Sequence, residues 1–174
     1  MDRMYRKFRN FLKRQDRNQE YWIKQEFKRI ELYKTLLGDR WKGSLLDLGC
    51  GPDYFSQACR LKGIMAEGID LDKCDFEKDK LPYPDQSFDL MTMNDVLEHL
   101  NNPRNLFDEI NRVLRINGFL IIRTHDWSKS WKTFYDDPTR KRPYTAKALR
   151  KIFMMYGMKI VLLSRCSDSF KRTG

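Results

Sequence analysis

The chain has 174 residues, of which 41% are hydrophobic and 33% are charged, and this indicates one soluble globular domain rather than two. Its four cysteines form neither a Cys-x-x-Cys pair nor a metal-ligand spacing, which excludes a secreted disulfide scaffold and predicts no metal. No apolar run approaches the roughly 20 residues of a membrane span, and the N-terminus lacks the apolar region of a signal peptide. We therefore expect a cytoplasmic protein.

The net charge of +10 is distributed unevenly. Residues 1–42 carry 13 Lys/Arg and 6 Asp/Glu, residues 43–128 carry 9 and 15, and residues 129–174 carry 12 and 3. An acidic middle between basic ends is typical of a protein with two separate binding tasks. The alternative is that the basic ends are solvated helix faces.

The first part of the chain has helical periodicity. Residues 3–17 place Met4, Phe8 and other apolar side chains at helical spacing among basic ones. A second helix is predicted over about Gln19 to Leu37, with Gly38 and Gly43 at its end. We expect residues 1–43 to form basic helices that cover the site and residues 44–174 to form the main domain.

Short apolar strands alternate with helices from Ser44 onward. The predicted strands are Leu45–Leu48, Ala66–Leu71, Phe88–Met93, Phe119–Thr124 and Met158–Leu163. The predicted helices are Asp53–Lys62, a segment with Val96, Leu97 and Leu100, a helix from Pro103 to Leu114, and residues 146–156 after an N-cap at Thr145. This alternation predicts an α/β fold, a three-layer sandwich with a mostly parallel sheet and right-handed crossovers.

A glycine turn follows the first strand. Asp47 lies within that strand, and Gly49 and Gly51 follow it directly. Glycine is required where a bound ligand approaches the backbone, and open α/β sheets bind ligands at the carboxyl ends of their strands. The turn is therefore the first candidate binding element.

An acid ends the second strand. Asp70 lies 19 residues after Gly51, and a carboxylate in that place can accept hydrogen bonds from two ribose hydroxyls. The spacing by itself matches both a nicotinamide dinucleotide binder and a methyltransferase.

Four stretches together resemble the class I S-adenosylmethionine-dependent methyltransferases, which have a Rossmann-like fold. They are LLDLGCGPD, CDFEKDKLPYPDQSFDLMTMNDVLEHL, NPRNLFDEINRVLRINGFLIIRTHD and DDPTRKRPYTAKALRKIF, within roughly residues 43–165. The resemblance implies S-adenosylmethionine as cofactor. The acidic middle segment agrees with it, because the sulfonium and amino groups of this cofactor are cationic.

The resemblance also implies roles for individual residues. Asp47 would order the glycine turn, Asp70 would hold the ribose, and Asp75 would accept from the adenine amino group. The full implied cofactor set is Asp47, Gly49, Gly51, Asp70, Leu71, Asp75, Phe76, Asn94 and Asp95.

The sequence departs from the family pattern in three places. Asp53 stands where many relatives have glycine or a small residue, so its side chain either weakens binding or lies outside the pocket. Only four residues separate Asp70 from Asp75, which predicts a shortened second crossover and a very short strand near Cys74–Phe76. The usual last antiparallel strand has no matching segment.

The substrate side is less specific. His99 and His125 are the candidate catalytic bases, since imidazole accepts a proton near neutral pH. Trp131, Tyr135, Arg140 and Tyr144 lie in an aromatic and basic loop that would bind substrate. The alternatives are histidines that only pack or order loops, and a partly buried loop with a solvated fringe.

Three functions fit these residues. The first is a methyltransferase acting on a small acceptor of anionic or sugar type. The second is a non-catalytic or truncated methyltransferase-like binding protein. The third is an RNA methyltransferase that uses the basic ends, which the sequence Asn94-Asp95-Val96-Leu97 disfavours because base-amine methylating enzymes carry an Asn-Pro-Pro-aromatic signature there.

Overall fold

The computed structural model describes residues 19–164, so the helix predicted over residues 3–17 lies outside the described residues. Four strands form one sheet, and five helices are joined to it by loops and 3-10 turns. The strands are β1 (Ser44–Leu48), β2 (Met65–Ile69), β3 (Phe88–Asn94) and β4 (Leu114–Arg123). The helices are α1 (Gln19–Leu37), α2 (Tyr54–Leu61), α3 (Arg104–Val113), α4 (Trp127–Ser130) and α5 (Ala146–Met155).

The sheet has the strand order β2-β1-β3-β4, and all three neighbouring pairs are parallel. Strand order reverses between β1 and β3, because the chain first adds β2 on one side and then β3 and β4 on the other. Open sheets bind ligands in the crevice beyond the carboxyl ends of the strands at such a reversal. The predicted α/β fold with a mostly parallel sheet is confirmed.

Helices cover both faces of the sheet. Alternate residues of β1 point to opposite faces, since the side-chain period of a strand is two. Leu45 packs with Ile30 of α1 and Phe55 of α2 in one apolar cluster. Leu46 packs with Phe107 of α3 in a second cluster, against which Phe153 of α5 also lies. The three-layer arrangement follows from these two separate cores.

The connection from β2 to β3 contains neither a helix nor a strand. This confirms the shortened second crossover, whereas the short strand predicted near Cys74–Phe76 is absent and that prediction is wrong. The guanidinium of Arg112 stabilises the loop instead, donating to the carbonyls of Leu81 and Tyr83. Arg112 also pairs with Glu109 on its own helix.

Two further predictions are wrong. The helix predicted around Val96 is only a 3-10 turn, Leu97–His99, because the backbone of Leu100 after it is extended, with a φ of −93° and a ψ of 135°. Residues 158–163 form no strand and pair with none of the four strands, although the second edge of β4 is unpaired among the described residues. Val161 and Leu162 are exposed there.

Strand β4 begins earlier than predicted, at Leu114, which was expected to end the preceding helix. The pairing with β3 shifts register between Phe88 and Leu90, and Asn117 in the bulge has a φ of 65°. The regular part of β4 starts at Phe119, the residue that was predicted as its first. Within residues 19–164, no helix has both the length and the apolar character that crossing a bilayer requires.

Candidate active site

A wide cleft runs along β4, from Gln86 and Leu114 at one end of the sheet to the carboxyl ends of β1, β3 and β4 at the other. Residues from the glycine turn, from the end of β3 and from the loop after β4 line it together. The predicted site residues in its wall are Asp47, Gly49, Asn94, Asp95, His99, His125, Arg140 and Tyr144. The remaining predicted residues, namely Gly51, Asp70, Leu71, Asp75, Phe76, Trp131 and Tyr135, are not in this wall.

Gly49 requires glycine for two reasons. Its φ is 77°, and a Cβ built on it would lie 2.2 Å from Cγ2 of Val96. The turn is fixed by hydrogen bonds from the amides of Gly49 and Cys50 to the carbonyl of Ile69 on β2. A protein side chain, Val96, therefore already makes the close approach that the sequence attributes to a ligand.

Asp70 links the two predicted binding loops. One of its carboxylate oxygens accepts from the Gly51 amide at 2.7 Å, and the other accepts from the Leu71 amide at 2.7 Å. The residue is 4% exposed. Asp70 therefore ties the glycine turn to the start of the loop that follows β2.

The predicted adenine side is formed by the loop after β2. Asp75 accepts from the Glu77 amide and its own amide donates to Asp79, so the loop closes on itself. Burial opposes the charge of Asp75, but the Glu77 amide and Lys78 lower the pKa of its carboxyl group. Phe76 is 1% exposed and belongs to the apolar core. The predicted apolar wall is thus part of the folded core.

Asp53 lies outside the cleft. Its carboxylate pairs with Arg60 at 2.7 Å, and its Oδ1 lies 2.3 Å from where a Cβ on Gly68 would be. The structure therefore places this unusual residue between α2 and β2, where it leaves the cleft open.

Asp47 is buried at the base of the cleft. The Thr92 hydroxyl donates to it at 2.6 Å, from the neighbouring strand β3. Burial raises the pKa of Asp47 to about 7, although Thr92 and Arg29 act against the rise. The residue therefore titrates near neutral pH and couples the sheet to helix α1.

Asn94 ends β3 and is held by helix α1. The Tyr33 hydroxyl donates to Oδ1 of Asn94. The amide nitrogen of Asn94 is buried and makes no hydrogen bond within the described part of the chain. A buried donor without a partner costs free energy, so this nitrogen is a natural contact for a ligand oxygen.

Asp95 and two neighbours form a charged cluster beneath α1. Arg123, the last residue of β4, donates to the Asp95 carboxylate, and the Asp95 amide donates to the Arg123 carbonyl. Burial raises the pKa of Glu26 on α1, an effect that Arg29 and Arg123 partly offset. Helix α1 thus brings an acid to the edge of the cleft.

Glu98 is the residue at this edge that the sequence did not reveal. It is fully buried, and its carboxylate accepts from the Thr124 hydroxyl and from Nδ1 of His125, both at 2.8 Å. Burial would raise its pKa, but these hydrogen bonds and His99 lower the pKa of Glu98 below its ordinary value. Its backbone carbonyl also accepts from the amides of Lys141 and Arg142.

The two histidines have different surroundings. Nε2 of His125 lies 3.0 Å from the Arg140 guanidinium, and both side chains line the cleft. His99 is 8% exposed, with its Nδ1 3.0 Å from the Thr139 hydroxyl, which in turn donates to Asp137. Both histidines therefore line the cleft, His125 between Glu98 and Arg140 and His99 beside the loop of residues 137–139.

The aromatic loop divides into inner and outer parts. Tyr144 is 4% exposed and forms a parallel bridge with Asp126. Trp131 and Tyr135 are 57% and 59% exposed, away from the wall of the cleft. Of the four predicted substrate residues, the structure brings only Arg140 and Tyr144 together with His125.

Asp95, Glu98 and His125 present one ligand atom each within 4.8 Å of one another, which a metal ion could use. Arg123 pairs with Asp95, and Arg140 lies on His125. These two guanidinium groups supply the positive charge in the structure, so the cluster is an ion-pair network.

The described residues fit S-adenosylmethionine at the methionine end. The unpartnered Asn94 amide suits a ligand oxygen. Asp47, Glu26 and Asp95 also line the cleft, where Asp95 is paired with Arg123 and burial raises the pKa of the other two. At the adenosine end Asp70 orders the glycine turn.

Comparison with known proteins agrees with this class of site. A family model described as a methyltransferase domain matches residues 14–163. The chain belongs to this methyltransferase family, and membership supports S-adenosylmethionine as the cofactor.

Individual relatives are more distant. The chain is 31% identical over 100 residues to a malonyl-(acyl-carrier protein) O-methyltransferase of Legionella pneumophila, covering 46% of this chain and 35% of that protein. It is 28% identical over 137 residues to a ubiquinone biosynthesis O-methyltransferase of Glaesserella parasuis, covering 60% and 58%. The alignments thus span between about a third and just over half of these relatives.

A solved structure of a SAM dependent methyltransferase from Archaeoglobus fulgidus matches with a TM-score of 0.69 and 22% identity, covering 96% of this chain and 80% of that one. This likeness confirms the Rossmann-like methyltransferase fold.

Proposed function

We propose that this chain binds S-adenosylmethionine at the carboxyl edge of the sheet and methylates a small acceptor of anionic or sugar type. One observation carries the proposal. A single cleft joins Gly49 and Asn94, which suit the methionine end of the cofactor, with His125 and Arg140, which suit an acceptor.

Bound S-adenosylmethionine supplies a methyl group that its positive sulfur already activates, so the protein mainly aligns the reactants. Asn94 would hold a ligand oxygen through its amide nitrogen. Asp47, Asp95 and Glu26 would favour the cationic end of the ligand, and Asp70 would hold the ribose. An acceptor that is a hydroxyl or a protonated amine also needs a base, and His125 fills that role.

The proposal also includes the division of the chain into two parts and a cytoplasmic location. We propose that residues 1–43 cover the site, a role that the packing of α1 against α2 and the contact of Tyr33 with Asn94 support. A cytoplasmic location agrees with Cys50, Cys59 and Cys74, which are free thiols.

A binding protein without methyltransferase activity is the second candidate. It is favoured by the adenosine side, where Asp70 is bonded to two backbone amides and Phe76 is packed into the core. A closed adenosine side would lower cofactor affinity and leave the rest of the cleft available.

Calorimetric titration with S-adenosylmethionine and S-adenosylhomocysteine tests the proposal. We expect a dissociation constant in the micromolar range, weakened roughly tenfold or more by Asp70→Asn, since a ribose contact and the turn geometry are both altered. Asp72→Asn is the matched control, because Asp72 is an exposed neighbour that should leave affinity unchanged. Absence of binding by the folded wild-type chain would contradict the proposal and favour the second candidate.

A further inference from the structure

The hydrogen bonds around His125 fix where its hydrogen lies. The Glu98 carboxylate can only accept, so the hydrogen of the neutral ring is on Nδ1. The Arg140 guanidinium can only donate, so Nε2 must be the acceptor of its hydrogen bond. In this arrangement Nδ1 faces the Glu98 carboxylate, and Nε2 is covered by Arg140.

Arg140 is mostly buried, but its contact with a charged acceptor, Asp137, is long. One nitrogen donates to the Phe134 carbonyl at 3.1 Å, and the guanidinium lies 5.6 Å from the Phe134 ring centroid. The Nε atom of Arg140 is 3.9 Å from the Asp137 carboxylate, and this atom makes no hydrogen bond within residues 19–164. A stronger, bidentate partner such as a carboxylate or phosphate would compete well for this side chain.

We infer that Arg140 is a latch on His125, which an anionic group of the acceptor releases by drawing Arg140 away. This inference rests on the proposed function and names its substrate class, an acceptor with a carboxylate or phosphate group near the atom to be methylated. Once released, Nε2 of His125 takes the proton from the acceptor hydroxyl or ammonium group, and the electron pair of the broken bond stays on the acceptor atom.

Glu98 is a positioning residue in this scheme. Its carboxylate keeps the hydrogen on Nδ1, so that Nε2 is the free base, and it stabilises the imidazolium that forms after proton transfer. Its backbone carbonyl also holds Lys141 and Arg142, the two residues that follow the latch. Glu98 therefore orients His125 and also holds the loop that carries Arg140.

The other side of the cleft supports an anion. The Tyr144 hydroxyl is buried, and a contact with the Arg142 guanidinium lowers its pKa and so opposes the rise that burial causes. Tyr144 and Arg140 line the same cleft, and both offer hydrogen-bond donors. An acceptor with several oxygen atoms would satisfy them together.

The latch can be tested without cofactor or turnover. Diethyl pyrocarbonate acylates an unprotonated, uncovered imidazole nitrogen, and peptide mass spectrometry measures the rate at His125 at about pH 8, where imidazole is neutral. We expect slow modification of the wild-type chain and a rate at least about tenfold higher in Arg140→Ala, since a charged hydrogen bond is lost. Inorganic phosphate should accelerate the wild type and leave Arg140→Ala unchanged.

Two variants control for the loop itself. Arg142→Ala removes a neighbouring guanidinium that donates to Asn101 and not to His125, and it should keep the wild-type rate. Arg140→Lys retains the charge and should give an intermediate rate. Far-UV circular dichroism confirms that each variant is folded. Equal rates in wild type and Arg140→Ala, or slower wild-type modification in phosphate, would overturn the latch.

Nitrogen-15 NMR of the His125 ring tests the role of Glu98. We expect the hydrogen on Nδ1 in the wild type and an increased share on Nε2 in Glu98→Gln, whose amide can donate to Nδ1. A wild-type hydrogen on Nε2 would also overturn the inference. Failure of the wild type to bind S-adenosylmethionine, with a released His125 in Arg140→Ala, would instead contradict the proposed function alone.

Discussion

Two buried carboxyl groups at the cleft have opposite pKa shifts. Asp47 accepts one side-chain hydrogen bond, from Thr92, and burial raises its pKa to about 7. Glu98 is at least as buried, but hydrogen bonds from His125 and Thr124 lower its pKa. The number of donors around each group therefore decides which residue is a constant negative charge and which responds to pH.

Replacing Asp47 by asparagine tests this difference. Because the folded-state pKa of about 7 lies above the ordinary 3.8, the folded chain holds an extra proton between these values, and stability falls as pH rises through this window. We expect Asp47→Asn to gain stability relative to wild type over the same window, by up to about 1.4 kcal/mol per pH unit. Urea unfolding of both proteins from pH 4 to 8 measures this difference in the free energy of unfolding. The same pH dependence in both proteins would contradict the raised pKa of Asp47.

Replacing Glu98 changes the pH dependence of stability in the opposite direction. Since the pKa of Glu98 is lowered, its contribution to stability is present above its ordinary pKa of 4.5 and is lost as pH falls. We expect Glu98→Ala to cost about 2–4 kcal/mol at pH 7, because the Thr124 and His125 donors lose their acceptor. Glu31→Ala, at an exposed and weakly paired acid, should cost less than about 0.5 kcal/mol in the same denaturation experiment.

At the scale of elements, the turn from β1 to α2 combines backbone strain with close packing. Gly49→Ala must place a Cβ at a φ of 77° and against Val96, so we expect a loss of about 2–4 kcal/mol. Gly63→Ala is the matched control, since its φ is 76° and nothing lies within 4 Å of the added Cβ. We expect about 1–2 kcal/mol there. Equal losses in thermal or urea unfolding would exclude the Val96 contact as a cause.

The elements that the sequence predicted correctly have strong local signals. Helix α1 has the predicted bounds Gln19–Leu37, and Thr145 caps α5 by accepting from the Ala148 amide. The segment at residues 158–163 has an equally apolar pattern, yet it is not a strand, because a strand also needs a neighbour to pair with. Pairing is a property of the sheet, and local composition does not specify it.

At the scale of the whole molecule, charge is separated along the chain. The acidic middle, residues 43–128, contributes Asp47 and Asp95 to the cleft, while Arg140 comes from the basic part that follows. One cleft therefore contains acidic side chains from the middle of the chain and a guanidinium from the basic part. This arrangement agrees with two differently charged ligands binding side by side.

The overall positive charge of the molecule also allows a test of the RNA methyltransferase alternative. We expect a single-stranded RNA oligonucleotide to bind only through the overall positive charge, so its affinity should fall on the order of tenfold or more between 50 and 200 mM salt. Fluorescence anisotropy measures this, with S-adenosylmethionine affinity as the comparison. RNA binding that persists at 200 mM salt and depends on base sequence would favour the alternative.

The sequence by itself determined the α/β alternation, the glycine turn and the acid after β2, because each depends on residues that are near one another in the chain. The tertiary structure decided which of them share a cleft. Tyr33 meets Asn94 across 61 positions, Glu98 meets His125 across 27, and Arg140 meets His125 across 15. Such contacts depend on how helices and strands pack, so no local sequence pattern predicts them. For that reason Glu98 became visible as a candidate functional residue only in the folded chain.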